Sequence, residues 1–88
     1  MNITEYADVI DAELKVCRFP NQKERWVASF CAAEVKRGNI LEGVYGDAHT
    51  PQEAIEDYIA QIRGKRLVLY AGSPTFRREY VVPESLTL

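Results

Sequence analysis

Residues Gly46–Arg66 read GDAHTPQEAIEDYIAQIRGKR, and this stretch contains the clearest helix signal in the chain. Thr50 is a favoured N-cap residue, the proline that follows it suits the first helical position, and Glu53 stands where a capping box requires it. Gly64 lies where helices commonly end in a left-handed residue. Between these signals, apolar residues recur at helical spacing at Ala54, Ile55, Tyr58, Ile59 and Ile62. The sequence therefore predicts an amphipathic helix over residues 51–63.

Runs of alternating apolar and polar residues predict strands on both sides of this helix. Turn-forming residues separate the runs at Pro20–Glu24, Lys36–Asn39 and Gly72–Thr75. The predicted strands are Ala12–Phe19, Arg25–Cys31, Ile40–Tyr45, Arg66–Ala71 and Phe76–Val82. The second strand can continue through Val35, and Gly43 inside the third strand predicts a bulge or a close packing contact.

The segment Thr4–Ile10 predicts a short N-terminal helix with Thr4 as its cap, and an extended arm is the alternative. The element order is then α-β-β-β-α-β-β in a single domain, residues 1–88. Hairpin-length turns make the first three strands antiparallel neighbours. These features predict an α+β fold in two layers, in which an antiparallel sheet of four to five strands has the main helix packed on it.

The predicted strands carry apolar residues on both faces, and one helix cannot cover both. The residues in question are Cys17, Phe19, Val27, Val68, Tyr70 and Val81. Either the N-terminal helix and the C-terminal tail cover the second face, or another molecule does. A chain of 88 residues buries a modest share of its surface, so dimerisation would add to its stability.

The composition excludes several classes of protein. The formal net charge is −2, so no overall field draws the chain to nucleic acid or to anionic membranes. No apolar run approaches the ~20 residues of a membrane span, and the acidic N-terminus is unlike a signal peptide, so we expect a bacterial-type cytoplasm. A turn near Asn21–Glu24 would pair Cys17 with a residue near Ala28 and not with Cys31, which predicts free thiols.

No combination of residues predicts catalysis. His49 is the only histidine, and a general base needs an oriented partner and a pocket. The strand acids are interspersed with lysines and arginines, which is typical of surface ion pairs: Glu13, Glu34, Glu42 and Glu79. The sequence therefore predicts no enzyme, no cofactor and no metal. A divalent-metal nuclease of ribonuclease-H ancestry, which would need converging carboxylates, ranks third among the hypotheses.

One motif extends from the third strand through the main helix: Tyr45, Gly46, Thr50, Pro51, Glu53, Ala54, Ile55, Tyr58 and Ile62. It resembles the domain of HicB-type antitoxins, a truncated ribonuclease-H-like fold with three strands before the helix and another after it. The resemblance covers residues 12–71. Thr50–Val68 is also similar to the TP-x-EAI-x-DY-x-x-x-I-x-GK-x-LV segment of small uncharacterised bacteriophage and prophage proteins. HicB-type antitoxins usually add a C-terminal DNA-binding unit. Nothing after Arg66 matches one, so the resemblance implies the partner-binding half alone.

Basic and aromatic residues cluster after the main helix and on the last strand: Arg63, Lys65, Arg66, Phe76, Arg77, Arg78 and Tyr80. Such a composition is typical of protein interfaces and of single-strand nucleic-acid binding. Carboxylates at the start of the main helix argue against a double-stranded-RNA mode, because phosphates would bind at that end. We predict a non-enzymatic protein-interaction module of bacteriophage or prophage type. Its partner is an unidentified protein or a second copy, and RNA or DNA binding is the alternative.

Overall fold

The structure is a computed structural model that describes residues 1–88 and contains two helices and seven strands. In chain order these are α1 (Ile3–Val9), β1 (Leu14–Arg18), β2 (Trp26–Phe30), β3 (Ala33–Arg37), β4 (Ile40–Glu42), β5 (Gly46–Ala48), α2 (Pro51–Ile62), β6 (Arg66–Leu69) and β7 (Arg78–Val81). The α+β class, the short N-terminal helix and the main helix are confirmed.

Local capping marks both ends of α2 at the predicted residues, although Glu53 bonds the Thr50 hydroxyl and not the Thr50 N–H that a capping box uses. The Thr50 hydroxyl accepts a hydrogen bond from the Glu53 N–H at 3.1 Å and donates one to the Glu53 carboxylate at 2.9 Å. At the other end, Arg63 leaves the helical conformation and Gly64 has a φ of +67°, which glycine adopts without a steric penalty. The apolar face of α2 is buried through Ala54, Tyr58, Ile59 and Ile62.

The N-terminal helix is capped by Asn2, not by Thr4 as predicted. The Asn2 side chain accepts a hydrogen bond from the Glu5 N–H at 2.8 Å, and the Glu5 carboxylate accepts one from the Asn2 N–H at 3.3 Å. Asn2 also forms a parallel bridge with Thr87, and the Ile3 N–H donates to the Thr87 carbonyl at 2.7 Å. This helix is too short to be stable alone, and these bonds fasten it to the C-terminal tail.

The strands form two antiparallel sheets, whereas the sequence predicted one. The strand order is β1-β2-β5 in the first sheet and β4-β3-β6-β7 in the second. The chain turns a corner between β2 and β3 at Cys31 and Ala32, where Ala32 has a φ of +55°. The chain goes back from the second sheet to the first between β4 and β5, at residues 43–45. The second predicted strand is therefore interrupted at the corner and resumes as β3, which includes Val35. Of the third predicted strand, Ile40–Tyr45, only Ile40–Glu42 is a strand, and β5 lies beyond its predicted end.

The pairing of β1 with β2 follows the predicted hairpin. Cys17 lies opposite Val27, one residue from the expected Ala28, and both cysteines are free thiols. Ala28 and Phe30 are buried on the side of β2 that faces α2, whereas Val27 is on the other side. The two-residue period of the sequence thus places these side chains correctly.

One hydrophobic core joins both sheets and both helices. The Phe30 ring meets Tyr58 of α2 edge-on, with 5.7 Å between ring centroids, and lies 6.4 Å from the Tyr6 ring of α1. Leu67 and Leu69 of the second sheet belong to the same core. The N-terminal helix and the tail add Ile3, Tyr6, Ala7, Ile10, Val82 and Leu86. The helices and the tail therefore cover the inner sides of the sheets, and the outer sides have no such cover.

A close packing contact occurs at Gly46, and the one predicted at Gly43 is absent. A methyl group at Gly46 would overlap the Ala54 carbonyl and lie 2.7 Å from the Tyr58 nitrogen, so the backbone of α2 rests directly on β5. A methyl group at Gly43 would have no atom within 4 Å. The packing of α2 on the sheet therefore requires Gly46, and not Gly43 as predicted.

Candidate interaction surface

A partly apolar surface lies on the side of the first sheet that faces away from α2. Because side chains alternate along a strand, the residues between the buried Ala28 and Phe30 point outward. We call this surface the outer patch, and it consists of Lys15, Cys17, Phe19, Val27, Ser29 and Tyr45. Cys17 is exposed, and Tyr45 is 50% exposed. Neither helix packs over the patch, so it is open to another molecule.

An ion pair beside the outer patch holds the Phe19 ring in place. Arg25 donates to the Asp47 carboxylate from Nε at 3.0 Å and from Nη2 at 2.7 Å. The same guanidinium lies 4.2 Å from the centroid of the Phe19 ring. The hydrogen bonds from Arg25 lower the pKa of Asp47, so the carboxylate stays charged and the pair persists. Phe19 is thereby kept on the outer side of the sheet.

The edge of the first sheet along β5 is capped by side chains of α2. The Asp57 carboxylate accepts a hydrogen bond from the Asp47 N–H at 2.9 Å. Gln61 Nε2 donates to the Tyr45 carbonyl at 2.7 Å and to the Asp57 carboxylate at 3.2 Å. Two backbone groups that would otherwise be free at this edge, the Asp47 N–H and the Tyr45 carbonyl, are therefore paired within the chain.

The opposite edge, along β1, has no such cap. The Phe19 N–H donates to the Arg25 carbonyl at 2.7 Å, and the Cys31 N–H donates to the Glu13 carbonyl at 2.8 Å. In an antiparallel ladder, every second residue hydrogen-bonds to the neighbouring strand. The odd-numbered residues of β1 therefore bond to β2, and the backbone groups of the even-numbered residues point away from it. The residues with outward N–H and C=O groups are Leu14, Val16 and Arg18. No loop, cap or side chain hydrogen-bonds to them.

Two of the basic residues predicted as a site lie together on the outer side of the second sheet. Arg66 and Arg77 both contact Glu79, at 3.6 and 3.1 Å, and Lys36 lies 3.8 Å from the same carboxylate. The hydrogen bond from Arg77 and the neighbouring positive charges lower the pKa of Glu79. Val68, opposite Glu79 in the sheet, is fully buried although it lies outside the hydrophobic cluster that joins the sheets and the helices. The charged side chains therefore cover it.

Two more predicted residues belong to a different surface, which we call the aromatic corner. It lies between the end of β6 and the start of β7 and consists of Tyr70, Phe76 and Arg78, with Asp11 beside them. The Tyr70 and Phe76 rings are 6.4 Å apart, and the Arg78 guanidinium lies 5.8 Å from the Tyr70 ring centroid and 3.8 Å from the Asp11 carboxylate. Phe76 is 65% exposed, and Tyr70 has a φ of +52°, which is rare for a bulky residue.

The remaining predicted residues are separate from both groups. Tyr80 lies on the inner side of the second sheet and packs against the core. Arg63 Nε donates to the Leu86 carbonyl at 3.0 Å, which holds the C-terminal tail to the end of α2. Lys65 is exposed. The seven residues predicted as one site therefore lie on several surfaces. The outer patch is a surface that the sequence indicated only as apolar residues left without a cover.

His49 lies at the loop before α2, where its Nδ1 is 3.3 Å from the Glu24 carbonyl. No three histidine, cysteine, aspartate or glutamate side chains lie close enough to share a metal ion. Neither helix has the length and apolar character needed to cross a lipid bilayer. Comparisons with protein-family models, with curated proteins and with solved structures find no match to this chain.

Proposed function

We propose that this chain is a non-enzymatic protein-interaction module that binds a protein partner through the outer patch. The observation that carries the proposal is a sheet face with apolar and aromatic side chains that no part of the chain covers. Association with another protein that excludes water from this face would be favourable, because apolar surface would be buried. The mechanism is occupancy, in which the domain docks on its partner and blocks or scaffolds it.

The resemblance to HicB-type antitoxins and to small bacteriophage and prophage proteins supports the same class of function. The shared motif includes Tyr45, which belongs to the outer patch, and Gly46, which lets α2 pack on the sheet. In this proposal, the motif therefore builds the scaffold and presents a contact residue. The domain is the partner-binding part of such a protein and acts in a bacterial host cell.

Site-specific photocrosslinking in bacterial cells tests this proposal. The photoreactive residue p-benzoylphenylalanine replaces Tyr45 in the outer patch, and in a control protein it replaces Glu56, which is exposed on α2. We expect a discrete crosslinked protein from position 45 and none from position 56. A product of twice the 10.0 kDa mass of the chain identifies a second copy as the partner.

Two matched substitutions complete the design. Cys17→Glu places a carboxylate in the outer patch, and Ala60→Glu places one at an exposed position of α2. We expect Cys17→Glu to abolish the crosslink from position 45 and Ala60→Glu to preserve it. Equal crosslinking from positions 45 and 56, or a crosslink that survives Cys17→Glu, would exclude the outer patch as the binding surface.

Nucleic-acid binding is the second candidate, and the charged face of the second sheet is the observation that favours it. Lys36, Arg66 and Arg77 lie together there, but Glu79 contacts all three and Glu34 occupies the same face. The local excess of positive charge is therefore small, and we rank this function second. Binding of single-stranded RNA that falls steeply with salt and is lost in Arg66→Glu with Arg77→Glu would reverse the ranking.

A further inference from the structure

The open edge of β1 lies directly beside the outer patch. Three residues of β1 point their N–H and C=O groups away from the sheet, while the β5 edge is capped by Asp57 and Gln61. An unpaired edge can hydrogen-bond an added strand, and side chains of the neighbouring face then select which strand binds. The question is therefore which kind of strand fits the chemistry of β1.

The charges on β1 disfavour a second copy of the same strand. Between Leu14 and Arg18 the strand carries Lys15 and Arg18 and no acidic residue. If two copies pair antiparallel with Val16 opposite itself, Lys15 lies diagonal to its copy, about 7–8 Å away. If the pairing shifts toward Leu14, Lys15 lies directly opposite its copy. If it shifts toward Cys17, Arg18 lies diagonal to its copy. Like charges meet in these three registers. A register with Leu14 opposite itself would place Lys15 opposite Glu13 of the other copy, but it overlaps the two β1 strands at a single residue.

We propose that β1 accepts an extended acidic peptide segment of a protein partner as an added antiparallel strand. This inference rests on the proposed function, because it specifies how the partner binds beside the outer patch. Lys15 points to the outer side of the sheet and Arg18 to the inner side, so each face selects one acidic residue. Arg25 does not contribute to this selection, because Asp47 already pairs with it.

The register of β1 predicts the pattern of the bound segment. Acidic residues are expected opposite Arg18 and Lys15, and apolar residues opposite Cys17, Val16 and Leu14. Read from its own N-terminus, an antiparallel segment therefore runs acidic, apolar, apolar, acidic, apolar. This order is not a simple alternation, because the two basic residues lie three positions apart and on opposite faces.

A synthetic peptide with this pattern tests the inference. The probe is Val-Glu-Val-Val-Glu-Val-Lys with blocked ends, whose last residue falls opposite Glu13 and whose first falls opposite Phe19. Binding at low salt is followed by NMR of the full chain, together with hydrogen exchange of the backbone amides of Leu14, Val16 and Arg18. We expect the probe to slow the exchange of these amides by at least about tenfold, the effect of forming one or two new hydrogen bonds.

Four control peptides separate strand addition from general attraction, three that should bind weakly and one that should bind as the probe does. Val-Val-Glu-Glu-Val-Val-Lys has the same composition with the acids moved, and Val-Lys-Val-Val-Lys-Val-Glu has the charges reversed. A third peptide keeps the probe sequence but is N-methylated at its second, fourth and sixth residues, whose N–H groups face β1. We expect each to bind at least about tenfold more weakly than the probe. N-methylation at the third and fifth residues, which face away, should leave binding unchanged.

A protein variant provides the reciprocal test. Lys15→Glu with Arg18→Glu reverses the charge at two exposed positions and should prefer Val-Lys-Val-Val-Lys-Val-Glu over the original probe. If this variant fails to fold, the hydrogen-exchange and N-methylated-peptide measurements on the natural chain still test whether the peptide adds to β1 as a strand.

Other outcomes overturn the inference and are distinguishable from failure of the proposed function. If the probe shifts the signals of Phe19, Val27 and Tyr45 but leaves the edge amides unprotected, the patch binds without strand addition. Edge amides that become protected with rising protein concentration alone would assign the edge to a second copy. Absence of any binding removes the acidic strand, and the photocrosslink from position 45 then decides the proposed function independently.

Discussion

Two buried tyrosines pack against the same phenylalanine, and their hydroxyl groups are in opposite situations. The Tyr58 hydroxyl accepts a hydrogen bond from the Phe30 N–H at 3.1 Å, whereas the Tyr6 hydroxyl is buried without a partner. A buried hydroxyl without a partner has lost its hydration and gained nothing in return. We therefore predict that Tyr6→Phe stabilises the protein and that Tyr58→Phe destabilises it.

The size of the two effects follows from the hydrogen bonds. Each substitution removes one oxygen atom and keeps the aromatic ring, so the packing against Phe30 is retained in both variants. A buried polar group left unpaired costs about 1–3 kcal/mol. Tyr6→Phe removes such a group, and Tyr58→Phe creates one at the Phe30 N–H. We expect Tyr6→Phe to raise the free energy of unfolding by about 1 kcal/mol and Tyr58→Phe to lower it by about 1–3 kcal/mol.

Urea unfolding followed by the fluorescence of Trp26, the single tryptophan, measures both variants against the natural chain. For a domain of this size, 1 kcal/mol corresponds to a shift of about 4–8 °C in Tm, so thermal unfolding gives a second readout. An unchanged m-value shows that only stability has changed. If Tyr6→Phe lowered the stability, or if both variants changed it in the same direction, the assignment of hydrogen bonds would be refuted.

Three further predictions concern the packing of α2. Gly46→Ala should cost about 2–4 kcal/mol in urea unfolding because the added methyl overlaps the helix backbone, while Gly43→Ala should stay within about 0.5 kcal/mol. Burial raises the pKa of Tyr58 to about 12 from 10.0. The neutral phenol therefore contributes fully to the free energy of unfolding below about pH 10, and this contribution is lost between about pH 10 and 12, where the unfolded chain ionises first. Unfolding measured across that range should show a loss of about 3 kcal/mol that is absent in Tyr58→Phe. Asp57→Ala removes the acceptor at the β5 edge and should speed hydrogen exchange of the Asp47 amide, and an unchanged rate would contradict the capping of that edge.

The main helix could be predicted from the sequence because its signals are local. Thr50, Glu53 and Gly64 act within one turn of the helix end that they define, so no knowledge of the rest of the fold is needed. The hairpin of β1 and β2 is equally local, and its register came out within one residue. The cap of α1 was assigned two residues too late because Thr4 and Asn2 are both acceptable caps. What favours Asn2 is the capping box that it forms with Glu5, together with its bridge to the distant Thr87.

The division into two sheets could not be predicted, because the corner at Cys31 and Ala32 contains no glycine or asparagine that would indicate a left-handed residue. Ala32 adopts a φ of +55°, a conformation usually given to glycine or asparagine, and its carbonyl accepts a hydrogen bond from the Tyr70 N–H at 2.9 Å. Tyr70 itself has a φ of +52°. Tertiary contacts therefore impose both conformations. Likewise, choosing Gly46 over Gly43 as the packing glycine required knowing where the helix crosses the sheet.

The predicted site was dispersed for a reason that was present in the sequence. Strand side chains alternate, so Arg77 and Glu79 must lie on one face of β7 and Arg78 and Tyr80 on the other. Grouping these residues by their nearness in sequence ignored that period. Of the six apolar residues that the sequence left without a cover, Cys17, Phe19 and Val27 lie in the outer patch, whereas Val68 is buried and Tyr70 belongs to the aromatic corner. Tyr45 completes the outer patch because the corner at residues 43–45 ends the third predicted strand early and turns the chain into the first sheet.

The two edges of the first sheet illustrate why charge and hydrogen bonding have different consequences at an unpaired strand. At the β5 edge, Asp57 and Gln61 occupy the Asp47 N–H and the Tyr45 carbonyl, so an added strand cannot bind these two groups, whatever its sequence. Lys15 and Arg18 leave the backbone groups of β1 free and act only through their charge, so they repel a strand like β1 itself and attract an acidic one. The positive charge of β1 therefore both disfavours self-association and selects an acidic partner. A second capped edge would prevent self-association equally well, but it would bind no added strand. A basic open edge prevents self-association and can also bind an acidic strand.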